Sequence, residues 1–391
     1  MFIWYVIIFF FVIFSILEYL GIYRGNIFSA AHHNGSVQSE LLQKPTSLHI
    51  LSFYLIAVTL LLLSALRFEC GRDWAMYISW FEVIEDAELN VYKPAPIPED
   101  IEWGFLYLNY FFYYYISSNF YVLQFCIALF CCWITYRHIL KNTEFPISIL
   151  MIYFLTYFFS VEMAQNRQFI AMAILMLGYP FIKKRQLLFW LLIVLLAMLF
   201  HISALLALPL YYTTNINVPK KFFFIVCAVT LIFAFVGKEL SLAMLDISSR
   251  TLLPARLSSL ADRYKNAEYV TGSFSTLTIL VHWIFYFLGG ILYYRTGNRT
   301  LKYQILNFLI AVFLHSISFS FLEFRRVSNY YLICGGGIVF YQVFFQKSFF
   351  PATQRVLHFF IMLLFILYNI IVFCGRWAKA TEYSYQSVFF Q

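Results

Sequence analysis

The sequence predicts an all-α, polytopic integral membrane protein of about 10–12 transmembrane helices, some of them re-entrant or broken. Three observations carry this. Of 391 residues, 62% are hydrophobic and only 12% are charged, whereas a soluble domain carries roughly 25% charge. The mean hydropathy is +0.76. Apolar runs long enough to cross a bilayer recur along nearly the whole chain, so residues 1–391 read as one transmembrane domain with no sizeable soluble part.

Taken in order, the apolar runs are 2–22, 48–66, 104–117, 119–137, 146–161, 168–182, 187–212, 221–237, 275–294, 302–321, 327–346 and 355–374. The first lacks a basic leader and exceeds the apolar core of a signal peptide, so it is expected to be an uncleaved membrane helix. The runs 104–117 and 168–182 are short for a span. The run 187–212 is long, and His201 and Pro209 interrupt it. Broken helices at membrane depth line a cavity or are buried in protein.

Composition narrows function as well. The net charge of +8 is dispersed between apolar runs, as the positive-inside rule expects, and so does not point to nucleic acid. Seven cysteines form no CxxC pair, and most lie in apolar segments, which excludes a disulfide framework and a cysteine zinc site.

Two connections are large and polar. Residues 67–103 hold nine of the 19 acids, and 238–274 carry Arg250, Arg256, Arg263 and Lys265. The short loops at 137–141, 183–185 and 295–302 are basic and are expected inside, which leaves both large loops outside. Parity then asks that 104–117 dip and return or lie at the outer surface, and that 187–212 turn back near His201.

Four constellations carry chemistry. Arg67, Gly71, Arg72, Asp73, Trp74 and Tyr77 follow the second span. Gly71 permits a sharp turn or a close backbone approach, guanidinium groups suit phosphate oxygens, and Asp73 can take a proton or orient an arginine. Snorkelling at a helix end accounts for Arg67 equally well. Glu102 and Trp103 stand at the mouth of 104–117, where a carboxylate serves as a helix cap or as a general base. Glu162, Arg167 and Gln168 open 168–182. A cation there opposes the helix dipole and needs a partner, either Glu162 or an anionic ligand. His201 and Ser203 sit inside an apolar stretch, where an imidazole is costly unless it faces a partner or a cavity. His282, His315 and the run Glu323, Arg325, Arg326, Asn329, Tyr330 complete the set, with an ion pair from Glu323 to Arg326 as the structural alternative to phosphate binding.

The order of these motifs is specific. R-F-x-x-G-x-D-x-x-x-Y begins at Arg67 and E-x-G-F at Glu102. R-Q-x-I-A-x-A-I follows from Arg167, then the basic turn Lys183-Lys184-Arg185, and F-H-x-S-A-L-x-x-L-P from Phe200. From Arg67 to Tyr212 the chain resembles the EpsG-like family of bacterial exopolysaccharide and O-antigen polymerases, which are Wzy-type glycan polymerases. It departs from the pattern at Trp74, usually Tyr, and in the acidic, proline-bearing stretch between Ala75 and Ile101.

The resemblance implies a glycosyltransferase of the bacterial inner (plasma) membrane with its active site facing the periplasm or exterior. Its substrate would be oligosaccharide repeat units on undecaprenyl diphosphate, with membrane lipid around it and a chain-length regulator and a flippase as candidate partners. On that reading Arg67, Arg72, Arg167, Gln168, Arg325 and Arg326 bind diphosphate. His201, Glu102 or Asp73 supplies the base or orients it, with His201 and Glu102 leading, and Trp74, Tyr77 and Trp103 contact sugar. No DxD motif occurs, and neither metal nor cofactor is expected. The competing readings are a polysaccharide or lipid-linked oligosaccharide flippase, for which internal repeat symmetry is missing, and a membrane O-acyltransferase that uses a histidine.

Overall fold

In lipid every backbone polar group must be satisfied within the chain, which favours helices throughout. The computed structural model describes residues 2–22, 47–86, 97–98, 101–214, 216–250, 276–296, 299–318, 322–346, 351–377 and 385–387. Helices α1 (Phe2–Leu20) and α2 (Ser47–Ala65) precede a two-residue strand, β1 (Arg67–Phe68). Next come α3 (Trp74–Glu82), α4 (Trp103–Tyr115), α5 (Phe120–Asn142) and α6 (Pro146–Tyr153), the last running on as a wide π-helical segment to Glu162. Helices α7 (Asn166–Lys183), α8 (Leu187–Met198), α9 (Leu210–Thr213), α10 (Lys220–Arg250), α11 (Thr276–Thr296), α12 (Ile305–Ser318), α13 (Leu322–Asn329) and α14 (Ala352–Trp377) follow. A second short strand, β2 (Gln386–Ser387), pairs antiparallel with β1, Arg67 opposite Ser387.

The all-α membrane fold is what the sequence predicted. Among the described residues, five helices are long and apolar enough to cross a membrane: Ile3–Leu20, Ser47–Ala65, Phe120–Asn142, Leu277–Arg295 and Thr353–Gly375. Their outward faces remain apolar. On α14 the exposed side chains Val356, Leu357, Phe360, Leu364, Leu367 and Ile371 lie opposite buried Met362, Phe365, Ile366 and Phe373. At the centre, every residue of α6 is buried, as expected of a helix that is hydrophobic all round and enclosed by others.

A wholly buried helix cannot satisfy its first N–H groups with water. Pro146 at the first turn removes one donor, and Glu18 from α1 accepts two more. Its Oε1 takes Ile147 N at 3.1 Å, while its Oε2 takes Ser148 N at 2.8 Å and Ser148 Oγ at 2.6 Å. His49 Nε2 of α2 lies 2.6 Å from Oε1. One carboxylate therefore joins α1, α2 and α6 and answers the helix dipole.

Of the remaining apolar runs, 221–237 lies within the 31-residue helix α10, and the others are shorter or broken. The run 187–212 turns back at His201 as parity required. Helix α8 ends at Met198, the chain is extended at His201, and it returns through the 3-10 turn Ile202–Ala207 and α9. Both feet are tied together: Arg185 Nη1 donates to Tyr211 O at 2.7 Å and Nη2 to Thr214 O at 3.2 Å. Trp190 Nε1 crosses to Leu208 O at 3.2 Å. A limb of 12 residues rises about 18 Å, well short of the ~30 Å hydrocarbon core.

The expected span 327–346 is divided into α13, a π-helical turn Tyr330–Cys334 and a 3-10 stretch Gly337–Phe344. Three consecutive glycines cause this, with Gly336 left-handed at φ +71°. Asn307 Nδ2 donates to the buried Gly335 carbonyl at 2.9 Å. The run 168–182 is longer than the sequence suggested, and 104–117 is α4, of 13 residues. In the polar connections, 238–250 continue α10, while 251–275, 87–96 and 99–100 lie outside the described residues.

Replacing Glu18 by Ala should leave the buried N–H groups of Ile147 and Ser148 without acceptors, at about 1–3 kcal/mol for each unsatisfied group. Thermal unfolding of the purified protein in detergent should show a clear fall in melting temperature. Glu18→Gln, which keeps one acceptor oxygen, should fall less, and equal melting for both variants would overturn the capping account.

Candidate functional site

The site begins with two glycines that let backbones touch. Gly71 has φ +114°, and a Cβ there would lie 2.2 Å from the Met163 carbonyl oxygen. This is both the turn and the close approach that the sequence suggested. The contact seats the 66–73 connection on the end of the π-helical segment that leads into α7. At Gly104 a Cβ would lie 2.6 Å from Leu199 O, and Gly104 N donates to that oxygen at 2.8 Å. The start of α4 thereby rests on the tip of the α8 hairpin.

Between these contacts Glu102, Arg167 and His201 converge. Glu102 Oε2 accepts from Arg167 Nη1 at 2.6 Å, and Oε1 accepts from Ile202 N at 2.9 Å. His201 Nδ1 is 3.7 Å from the same Oε1. The side chains of Arg167, His201 and Glu102 keep 24%, 20% and 11% of their exposure, so the cluster is recessed but reachable. Arg167 also stands over Trp80 at 5.3 Å and donates to the Tyr77 hydroxyl. Its buried Nε has no hydrogen-bond acceptor among the described residues.

The imidazole is fixed from its other side. Ser203 N approaches Nδ1 at 3.3 Å and Ser203 Oγ at 2.9 Å, while Oγ meets Tyr330 Oη at 2.8 Å. With Nδ1 accepting from Ser203, the ring proton of the neutral form sits on Nε2. Gln168 Nε2 donates to Arg326 O at 2.8 Å, which brings α13 beside the start of α7. The Arg326 charge acts on His201.

The other predicted residues are placed as follows. Arg67 is 3% exposed and spends its donors within the protein, on Ser64 O at 2.8 Å and Asn166 Oδ1 at 3.0 Å. Burial draws its guanidinium below the usual range, against the pull of nearby Cys70, Cys132 and Glu162. Burial likewise pushes the Cys70 thiol up to about 11, opposed by the Arg67 charge. Arg72 is exposed in the Gly71 turn, and Asp73 is half-buried at the start of α3. Trp74 stacks on Tyr121 at 6.4 Å. Tyr77 is buried against Trp80 and Phe105, and Trp103 is exposed on α4. Arg325 is buried.

Glu162 does not pair with Arg167. Its carboxylate takes Cys132 Sγ at 3.0 Å, Tyr136 Oη at 2.8 Å and Tyr153 Oη at 3.2 Å. That alternative for Arg167 gives way to Glu102, which is 65 residues distant. Sequence reasoning missed Trp80 as a neighbour of the site. Nothing in its local pattern differs from a packing residue, and only the fold brings it in.

The EpsG family model matches residues 50–387. The match therefore extends beyond the motif-bearing stretch, from α2 to the strand that pairs with Arg67 and Phe68. No curated protein and no solved structure matches the chain.

Gly71→Ala and Gly104→Ala should each destabilise the protein by about 1–3 kcal/mol or more, because overpacking and forced backbone strain cost that much. Thermal unfolding checks both. Melting temperatures equal to wild type would show that the two backbone contacts do not constrain the site.

Proposed function

This chain belongs to the EpsG family, which ties it to polysaccharide biosynthesis of the polymerase type, and from that premise we propose that it joins lipid-diphosphate-linked oligosaccharide repeats at the Glu102, Arg167 and His201 cluster. The observation that supports this most is the convergence of one carboxylate, one arginine with a buried unused donor and one imidazole at the tip of a helical hairpin. In the proposed reaction a hydroxyl of the acceptor sugar attacks the anomeric carbon of the donor chain. A new C–O bond forms as the bond from that carbon to the diphosphate oxygen breaks. The electron pair leaves with the diphosphate, and the hydroxyl proton passes to a base.

Glu102 is the proposed base. A carboxylate has about four lone-pair positions, and Arg167 and Ile202 N occupy two of those on Glu102. Arg167 faces the departing diphosphate with its spare Nε–H, and Arg326 adds a second cation. His201 donates from Nε2 to the same charge. Such donors act most strongly where charge develops in a water-poor site. Ser203 and Tyr330 are positioning residues, since they set the His201 tautomer. Arg67 is assigned a positioning role through Asn166 and not a phosphate contact. The substrate is proposed to be carried on undecaprenyl diphosphate and used at the outer face of the plasma membrane. Arg72, Asp73 and Trp103, on the more open side, are left to glycan contact.

The test is gene deletion followed by complementation, with surface glycan length read on a gel. Glu102→Gln should lower polymer formation by about 100-fold or more, the usual contribution of a general base. Arg167→Lys should remain impaired, because an ammonium cannot reproduce the fork of donors or the stack on Trp80. In both cases single repeat units should still reach the surface on lipid carrier. Repeat units trapped on the inner side would favour a flippase, and full-length glycan lacking acetyl groups an acyltransferase. Normal polymer from Arg167→Ala at normal protein level would sink the diphosphate assignment.

A further inference from the structure

Strand β2 lies against the connection that leads from α2 to the candidate site. It pairs antiparallel with β1, Arg67 opposite Ser387 and Phe68 opposite Gln386. Two residues of pairing hold little by themselves, since even an isolated two-stranded hairpin is marginal in water. Tyr385 supplies an anchor. Its ring meets Trp4 of α1 edge-on, with centroids 5.6 Å apart and 84° between planes. Trp4 packs in turn against Phe158 at 6.2 Å and Phe159 at 4.8 Å, in the π-helical segment that ends at Glu162. The Tyr385 hydroxyl is hydrogen-bonded to Ser387, and the Arg67 charge acts on it. The strand is thus fastened to α1 and lies directly on Arg67.

The connection beneath it grips the start of α7 at two points. Arg67 Nη2 donates to Asn166 Oδ1 at 3.0 Å, and Gly71 abuts the Met163 carbonyl. Asn166 is the first residue of α7 and Arg167 the second. Gln124 Nε2 of α5 holds Ala65 O at 3.1 Å and Arg67 O at 2.8 Å, which fixes the backbone of the connection but not the guanidinium. A guanidinium open to water exchanges its partners for solvent, whereas one sealed in a low-dielectric setting keeps them. Arg67 is buried.

We propose that the C-terminal strand, anchored by Tyr385 on Trp4, is a positioning element for the reaction centre. By sealing Arg67 it holds Asn166, and with Asn166 the direction in which α7 presents Arg167. Tyr385, Gln386 and Ser387 act through Arg67 and not on substrate. The effect on turnover rests on the polymerase reading. The effect on the start of α7 does not.

The experiment uses the purified full chain in nanodiscs. Tyr385→Ala removes the ring from Trp4, and the double variant Gln386→Pro with Ser387→Pro removes both amide donors from the pairing. Tyr385→Phe keeps the ring and is the conservative control. Hydrogen–deuterium exchange reads three backbone bonds at the start of α7: Met163 N to Phe158 O at 3.0 Å, Gln165 N to Val161 O at 3.0 Å and Phe169 N to Gln165 O at 2.8 Å. Both strand-breaking variants should speed exchange there by about tenfold or more while α12 keeps its protection, and Tyr385→Phe should stay near wild type. With lipid-linked repeat units purified from a strain lacking the gene, the same two variants should lower kcat by up to about 100-fold, as small misplacements of a positioned group do. KM should change little, because the interaction with the departing diphosphate develops in the transition state. Unchanged exchange at 163–169 in both variants overturns the proposal. Exchange that quickens alike along the whole chain, with a lower melting temperature, overturns it too, since it marks a strand that only stabilises the fold. Faster local exchange with kcat intact overturns the positioning of Arg167. Faster local exchange in a protein whose wild type forms no polymer strikes the polymerase reading and leaves the hold of the strand on α7 standing.

Discussion

The Glu102 carboxylate is the constraint on which the candidate site depends. It accepts from Arg167 at the start of α7 and from Ile202 N in the hairpin, and it belongs to the residue that begins α4. Three segments remote in sequence meet on two oxygen atoms. Arg167 gains the partner that a cation at a helix start requires, because there it opposes the dipole. The hairpin gains an acceptor for an N–H that its extended residue His201 leaves outside any helical ladder. The Gly104 to Leu199 backbone contact holds the geometry from below, and only glycine fits at that spacing.

The same arrangement recurs elsewhere and explains how so few charges are used. Glu18 accepts the first N–H groups of α6, and Glu162 collects two tyrosine hydroxyls and a thiol from neighbouring helices. Each is almost fully buried. In a low-dielectric interior an unpaired carboxylate is very costly, whereas one surrounded by donors ties several helices together. Helices in lipid gain little from hydrophobic association. Polar centres of this kind, with close packing at glycines, therefore fix how the helices are arranged.

Much of this was legible in the sequence, for identifiable reasons. Apolar length revealed the membrane helices, because bilayer thickness sets it directly. Charge in the short loops revealed that 187–212 must double back, since a chain can end on only one side at a time. Gly71 announced itself because a sharp turn or a close backbone approach favours glycine, whereas the need for glycine at 104 appeared only with the Leu199 contact. The partners were less legible. Glu162 is five residues from Arg167 and looked like its mate, yet the chain turns at Met163 and sends the two side chains to different neighbours. Arg67 looked like a surface cation, but the C-terminal strand and Asn166 enclose it. Long-range pairing leaves no periodic trace, so motif order could place these residues near one another without saying which touch.

The depth of the hairpin is the last consequence of these pairings. With both feet joined through Arg185 and a limb of 12 residues, its tip rises only about 18 Å. Such a tip cannot reach the far surface of a ~30 Å core, and broken backbone at that depth survives only inside protein or beside a polar cavity. Here Glu102, Ser203 and Tyr330 provide that setting. The residues that make the break tolerable are thus the same ones that hold the candidate cluster together. Loosening Glu102 should unmake the tip and the cluster together, since the Arg167 and Ile202 bonds end on one carboxylate.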